Sequence, residues 1–112
     1  MKKLCVLLLL TVSLFANAKE YTFSPKDVPA MKQLLGSGNL QPGDAVVLKD
    51  GTYHNLEEIH FTGKGVSGKP IVWRAENPGK AVISGKLRLK IYGEYLQLED
   101  LLFYKAWAIG HD

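Results

Sequence analysis

The 112 residues allow one domain at most. Lys and Arg number 14 against 11 Asp and Glu, but two of the cations, Lys2 and Lys3, lie in a segment expected to be removed, so the excess is no argument for nucleic acid. The single cysteine, Cys5, leaves with them, which excludes a disulfide or a thiolate metal site in what remains.

Met1-Lys2-Lys3 is a short basic start, and Leu4 to Phe15 is an apolar run interrupted only by Thr11 and Ser13. Ala16-Asn17-Ala18 supplies the small-x-small pattern that signal peptidase reads, so residues 1–18 read as a signal peptide cleaved after Ala18. A membrane anchor is the alternative, but a spanning helix needs about 20 apolar residues. Cys5 is too near the start to be a lipoprotein cysteine. Cleavage leaves 12 cationic against 11 anionic side chains, a near-neutral chain expected in the periplasm or the medium of a bacterium, with no membrane or nucleic-acid partner.

In chain order, Lys19 to Phe23 alternates as a short first strand. Ser24 fits a helix N-cap with Pro25 at the first helical position, although Pro29 allows a start at Asp27 instead. Val28, Met31, Leu34 and Leu35 form one apolar stripe, and Gly36 is the expected C-cap of a helix at about 27–35. Pro42-Gly43 fits a type II turn before the strand Ala45 to Leu48, and Asp50-Gly51 turns the chain again. Ile59-His60-Phe61 is a brief apolar patch, followed by a loose loop at Gly63, Gly65 and Gly68. Further strands are expected at Ile71–Ala75, Ala81–Ser84, Leu87–Ile91 (leucines and isoleucine inward, cations outward), Tyr95–Glu99 and Leu101–Phe103.

Many short strands without helices between them leave a sandwich, a barrel or a solenoid. Val47, Val72 and Leu96 sit at similar places in successive strands, 25 and then 24 residues apart, which favours a solenoid. The predicted fold is all-β, a right-handed parallel β-helix whose first coil edge the amphipathic helix covers. Residues 1–18 are assigned to the signal peptide, 19–43 to the first strand and capping helix, and 44–112 to the first coils. The stop at Ala106 to Asp112, directly after an apolar strand, is expected to be a truncation.

Candidate chemistry is sparse. His54 in a turn, His60 in an apolar patch and His111 share no metal-ligand spacing, and structural or solvated roles suffice for them. Glu57-Glu58 and Glu99-Asp100 could offer oxygens to calcium, but adjacent acids in a strand point to opposite faces. Lys64 and Lys69 flank a glycine-rich stretch without phosphate-loop spacing. Arg88, Lys90 and Lys105, with Trp73, Tyr92, Tyr95, Tyr104 and Trp107, could line a groove for an acidic sugar chain, or simply keep a solenoid surface soluble. No residue carries a catalytic assignment.

Leu40-Gln-Pro-Gly-Asp-Ala-Val-Val-Leu-Lys-Asp-Gly-Thr-Tyr53, Gly68-Lys-Pro-Ile-Val-Trp-Arg-Ala-Glu-Asn-Pro-Gly-Lys80, Val82-Ile-Ser-Gly85 and Gly93-Glu-Tyr-Leu-Gln-Leu-Glu-Asp-Leu-Leu-Phe103 occur in this order. Together they resemble the opening of polysaccharide lyase family 6, the alginate lyase and chondroitinase B group. The resemblance implies β-elimination on a uronate-containing acidic polysaccharide, alginate ahead of chondroitin or dermatan sulfate. It also implies calcium, a lysine base and an arginine acid, none of which maps onto this chain. The alternative is a non-catalytic, carbohydrate-binding or surface β-helix, and a third reading is that these residues are all that is made.

Overall fold

The computed structural model describes residues 18–108, so the expectations for Cys5, the signal peptide and His111 lie outside the described residues. Among the described residues there are eight strands: β1 (Glu20–Phe23), β2 (Ala45–Leu48), β3 (Gly51–His54), β4 (Glu57–Lys64), β5 (Ile71–Ala75), β6 (Ala81–Glu94), β7 (Leu96–Glu99) and β8 (Leu102–Ala108). A 3-10 turn at Pro25–Asp27 leads into one α-helix, α1 (Val28–Ser37).

Every strand-to-strand pairing is parallel. One sheet runs β1-β2-β5-β7; the other has β6 between β3 and β4, and β8 also pairs with β6. The first half of β6 lies along β3 and the second half along β4. β6 is therefore two faces of one coil joined at a bend, and the chain winds as the predicted parallel β-helix.

The bend has a common backbone signature. Asn55, Gly85 and Lys105, met once in each pass of the chain, all take left-handed φ, at 52°, 81° and 51°. Asn55 holds the corner below it by accepting the Lys86 N–H at 2.8 Å. At Gly85 a side chain would also strike the Asn55 amide and the His54 ring. Glycine is thus required there for both conformation and space.

The core consists of inward residues stacked coil on coil. Val46 pairs with Trp73 and Trp73 with Leu98, while Tyr53 lies over Ile83 and Ile83 over Phe103. Phe61 meets Trp73 edge-on at 6.2 Å between ring centres. The stacks lose cover toward β8: Phe61 is fully buried, but its partner Ile91 is 51% exposed. The inward placement expected for Ile91 thus does not bury it. Among the described residues no strand pairs with β6 beyond Leu87 on its second edge.

At the other end, α1 lies along β4 and buries Met31 and Leu35. The Lys32 ammonium donates to the Leu56 carbonyl at 2.9 Å. Both expected helix starts are realised in sequence: Ser24 opens the 3-10 turn, and α1 begins beyond Asp27. The Asp27 carboxylate accepts from the Ser24 N–H at 3.0 Å and from its hydroxyl at 2.8 Å. These bonds hold the Asp27 carboxyl below its usual pKa. The C-cap is Gly38, at φ 76°, rather than Gly36, because α1 continues one more half-turn over His60.

Four further expectations change. The Ile59-His60-Phe61 patch is the centre of the eight-residue β4, and His54 ends β3 instead of sitting in a turn. Gly63 and Gly65 are not a loose loop: Gly63 belongs to β4, and the Gly65 N–H donates to the Glu94 carbonyl at 2.9 Å. The true inter-coil partners of Val47 and Val72 are Arg74 and Gln97, so the equivalence of Val47, Val72 and Leu96 is out of register. Val66 and Lys69 close a turn between β4 and β5, each backbone N–H donating to the other's carbonyl.

Candidate functional site

A strand's alternation places every second side chain on one face, and parallel pairing sets like positions side by side. On the outer face of β4 and β6 this brings Glu58 beside Arg88, His60 beside Lys90 and Thr62 beside Tyr92. Glu58 is the hub. Its carboxylate meets the Arg88 guanidinium at 3.2 Å, the His60 imidazole at 3.6 Å and the Lys90 ammonium at 3.9 Å. The hydrogen bond from Arg88 holds the Glu58 carboxyl below its usual pKa, with His60 and Lys90 acting in the same direction. The His60 and Tyr92 rings lie 5.9 Å apart between centres, tilted at 46°. Beyond Tyr92, a cleft of about 560 Å³ opens between Thr62, Lys64 and the Leu40-Gln41-Pro42 segment.

Arg88, Lys90 and Tyr92 therefore do share a face, as a sugar-binding groove would require. The others expected with them are elsewhere. Trp73 is fully buried against Phe61, because it occupies an inward position of β5. Tyr95 lies at the bend after β6, with left-handed φ. Tyr104 and Lys105 flank a separate cleft of about 440 Å³ on the β3 side, where the Lys105 ammonium sits 5.5 Å from the Tyr104 ring centre. Trp107 is on β8. Lys69 belongs to the turn with Val66.

Sequence reading missed one pair. His54 Nδ1 and Ser84 Oγ are 2.9 Å apart, 30 residues distant in the chain, in the cleft with Tyr104. A serine and a histidine in contact invite a nucleophile reading, but that also needs a group orienting the imidazole. Among the described residues no carboxylate bonds this ring, and the pair is a side-chain staple between two coils. The coil register that brings the two together was the only signal that could have found it.

Among the described residues no three His, Cys, Asp or Glu side chains converge on a common point. Glu58 is engaged by Arg88 at 3.2 Å, and Glu99 accepts a long hydrogen bond of 3.4 Å from the Gln97 amide. The calcium implied by the resemblance does not fit these residues.

The family model described as Chondroitinase B matches residues 30–109, more than half of the chain. The chain belongs to the chondroitinase B family. Among solved structures, it is 98% identical to a mannuronic acid specific polysaccharide family 6 lyase from human gut microbiota, with a TM-score of 0.82 over 84% of this chain. The alginate lyase AlyGC, also of family 6, is 27% identical with a TM-score of 0.65 over 81% of this chain. The family 6 polysaccharide lyase Pedsa3628 from Pseudopedobacter saltans is 26% identical with a TM-score of 0.61 over 81% of the chain. This chain spans 21%, 12% and 19% of the lengths of those three. No curated protein matches it.

Within this chondroitinase B family member, the motif that carries the resemblance has a structural task. Pro42-Gly43 forms the expected turn, closed by the Asp44 N–H donating to the Gln41 carbonyl at 2.9 Å. The Tyr53 hydroxyl reaches the Lys49 carbonyl at 2.7 Å and the Phe23 carbonyl at 3.2 Å, joining β1 to the end of the next coil. Burial, with Asp27, Asp50 and Glu76 nearby, pushes that hydroxyl's pKa up to about 12. Gly51 leaves room for Pro25, whose ring would stand 2.7 Å from a Cβ at that position.

Proposed function

We propose that this chain is the N-terminal segment of an exported family 6 polysaccharide lyase that cuts mannuronate-rich alginate by β-elimination. The observation that carries the reading is the 98% identity to a mannuronic acid specific lyase over 84% of this chain. In this reaction a base removes the proton on C5 of a uronate, whose carboxylate must be neutralised for that proton to leave. The electron pair forms the C4–C5 double bond as the C4–O bond breaks, and an acid protonates the leaving oxygen. The segment described here contributes the capped beginning of the coil stack, and the reacting groups belong to later coils.

The apolar side chains exposed at the β8 end, Ile91, Leu102 and Phe103, support this division, because further coils would cover them. The leader pattern of residues 1–18 supports export. No helix among the described residues is long and apolar enough to cross a membrane. Calcium dependence is the family-based expectation, with ligands on the later coils.

The test is the full-length enzyme offered polymannuronate, polyguluronate and dermatan sulfate, with and without a calcium chelator. Ultraviolet absorbance of the unsaturated uronate reports cleavage. Product from polymannuronate alone, lost with the chelator, is the expected result. Silence on all three polymers would leave a carbohydrate-binding solenoid.

A further inference from the structure

Among the described residues Asp44 is the only charged side chain that is buried, at 2% exposure. Its Oδ2 accepts the Gln41 N–H at 2.8 Å, and its Oδ1 accepts the backbone N–H of Lys19 at 3.0 Å. The Lys19 carbonyl in turn accepts from the Ala45 N–H at 2.8 Å, so Lys19 is gripped on both sides. No described Lys, Arg or His side chain forms an ion pair with Asp44. A buried carboxylate with neutral donors only is costly compared with one that faces a cation.

The donor nitrogen is the atom that cleavage after Ala18 would set free. A signal peptidase adds water across the Ala18–Lys19 peptide bond, leaving a carboxylate on Ala18 and an amine on Lys19. An α-amino group ordinarily titrates near about 7.7–8.0 and is largely an ammonium at neutral pH. We infer that Asp44 is the built acceptor for the new α-ammonium of Lys19, so that leader removal completes the fold by turning an amide hydrogen bond into an ion pair. The cleft of about 540 Å³ beside it, between Tyr21, Pro42, Val66 and Lys69, lets water reach the remaining ammonium protons. The pair ties the start of β1 to the turn before β2, on the edge that begins the coil stack.

This inference rests on the leader reading and is separate from the lyase activity. The full-length protein is prepared with its N-terminus at Lys19 and at Ala18, each with and without Asp44→Asn. Moving the start by one residue keeps the Lys19 N–H as a donor and moves the charge to Ala18, which lies near Gly43; the Asp44→Asn pair separates the charge from that added residue. The Lys19 start is expected to unfold in denaturant about ten-fold more slowly than the Ala18 start, as charge-assisted hydrogen bonds exceed neutral ones. Asp44→Asn is expected to erase that difference. Equal rates for the two starts, or a difference that survives in Asp44→Asn, would overturn the ion pair. N-terminal sequencing of the exported protein is expected to begin at Lys19. Another start would overturn the leader site, while cleavage of polymannuronate tests the lyase reading on its own.

Discussion

Gly93 lies directly below Gly63 in the next coil, so close that a side chain on Gly93 would run into the Gly63 carbonyl. Gly93 also has φ 138°, a conformation L residues avoid. Backbone cannot yield as a side-chain end can. Gly93→Ala is therefore expected to cost about 3 kcal/mol or more. Gly63→Ala crowds the Ile71 methyl, at 2.8 Å, with Leu96 at ordinary contact distance, and is expected to cost about 1 kcal/mol. Denaturation of the two variants checks the order, and equal losses would refute it.

Tyr53 gives the fold an alkaline limit. Its pKa is raised to about 12, so the folded state holds the phenol proton after the unfolded chain begins to lose it near 10. The stabilisation is complete below about pH 10 and is lost as pH rises toward 12. Tyr53→Phe should cost about 1–2 kcal/mol at neutral pH through its lost hydrogen bonds. It should also flatten the decline in stability above pH 10, which a pH series of denaturation curves would show.

Trp73 separates shape from polarity in the core. Its indole Nε1 is buried and has no hydrogen-bond partner among the described residues. Trp73→Ala should cost about 3–5 kcal/mol for the cavity it leaves. Trp73→Phe loses less volume and removes an unsatisfied donor worth about 1–3 kcal/mol, so it should be nearly neutral. A Phe variant as unstable as the Ala variant would show that the donor is satisfied in solution.

Arg88 and Lys90 are already engaged by Glu58, at 3.2 and 3.9 Å. Exposed pairs of this kind contribute little, and cations so occupied are poor clamps for a polyanion. In the proposed full-length lyase, Arg88→Gln with Lys90→Gln should leave KM for polymannuronate within about two-fold. A much larger rise would place this outer face in the substrate's path. The same hub predicts an acid effect: the lowered carboxyl of Glu58 contributes stability above its ordinary range, and this is lost as pH falls through its folded pKa. Glu58→Gln should remove that part of the acid sensitivity.

Particular residues show how far reading along the chain carries. Asn55 and Gly85 announce left-handed bends by type, but Lys105 takes the same conformation with nothing in its identity to mark it. Position in the coil, not propensity, puts it there. Gly63 looks like loop because glycine breaks strands, yet it lies within β4, where the Ile71 methyl stands in the way of a Cβ. Trp73 offers a large aromatic face to a sugar on paper, but the alternation of β5 turns it inward.

What the sequence determined by itself was the class of fold: short apolar strands at intervals in the twenties, a capping helix before them, and turns at Pro42-Gly43 and Asp50-Gly51. These are local, because periodicity and turn chemistry act over a few residues. The tertiary structure alone decided register, and with it the Glu58 hub, the His54–Ser84 contact and the placing of Lys19 on Asp44. Partners 25 to 30 residues apart meet only once the length of each coil is fixed, and a slip of one residue turns every side chain to the opposite face.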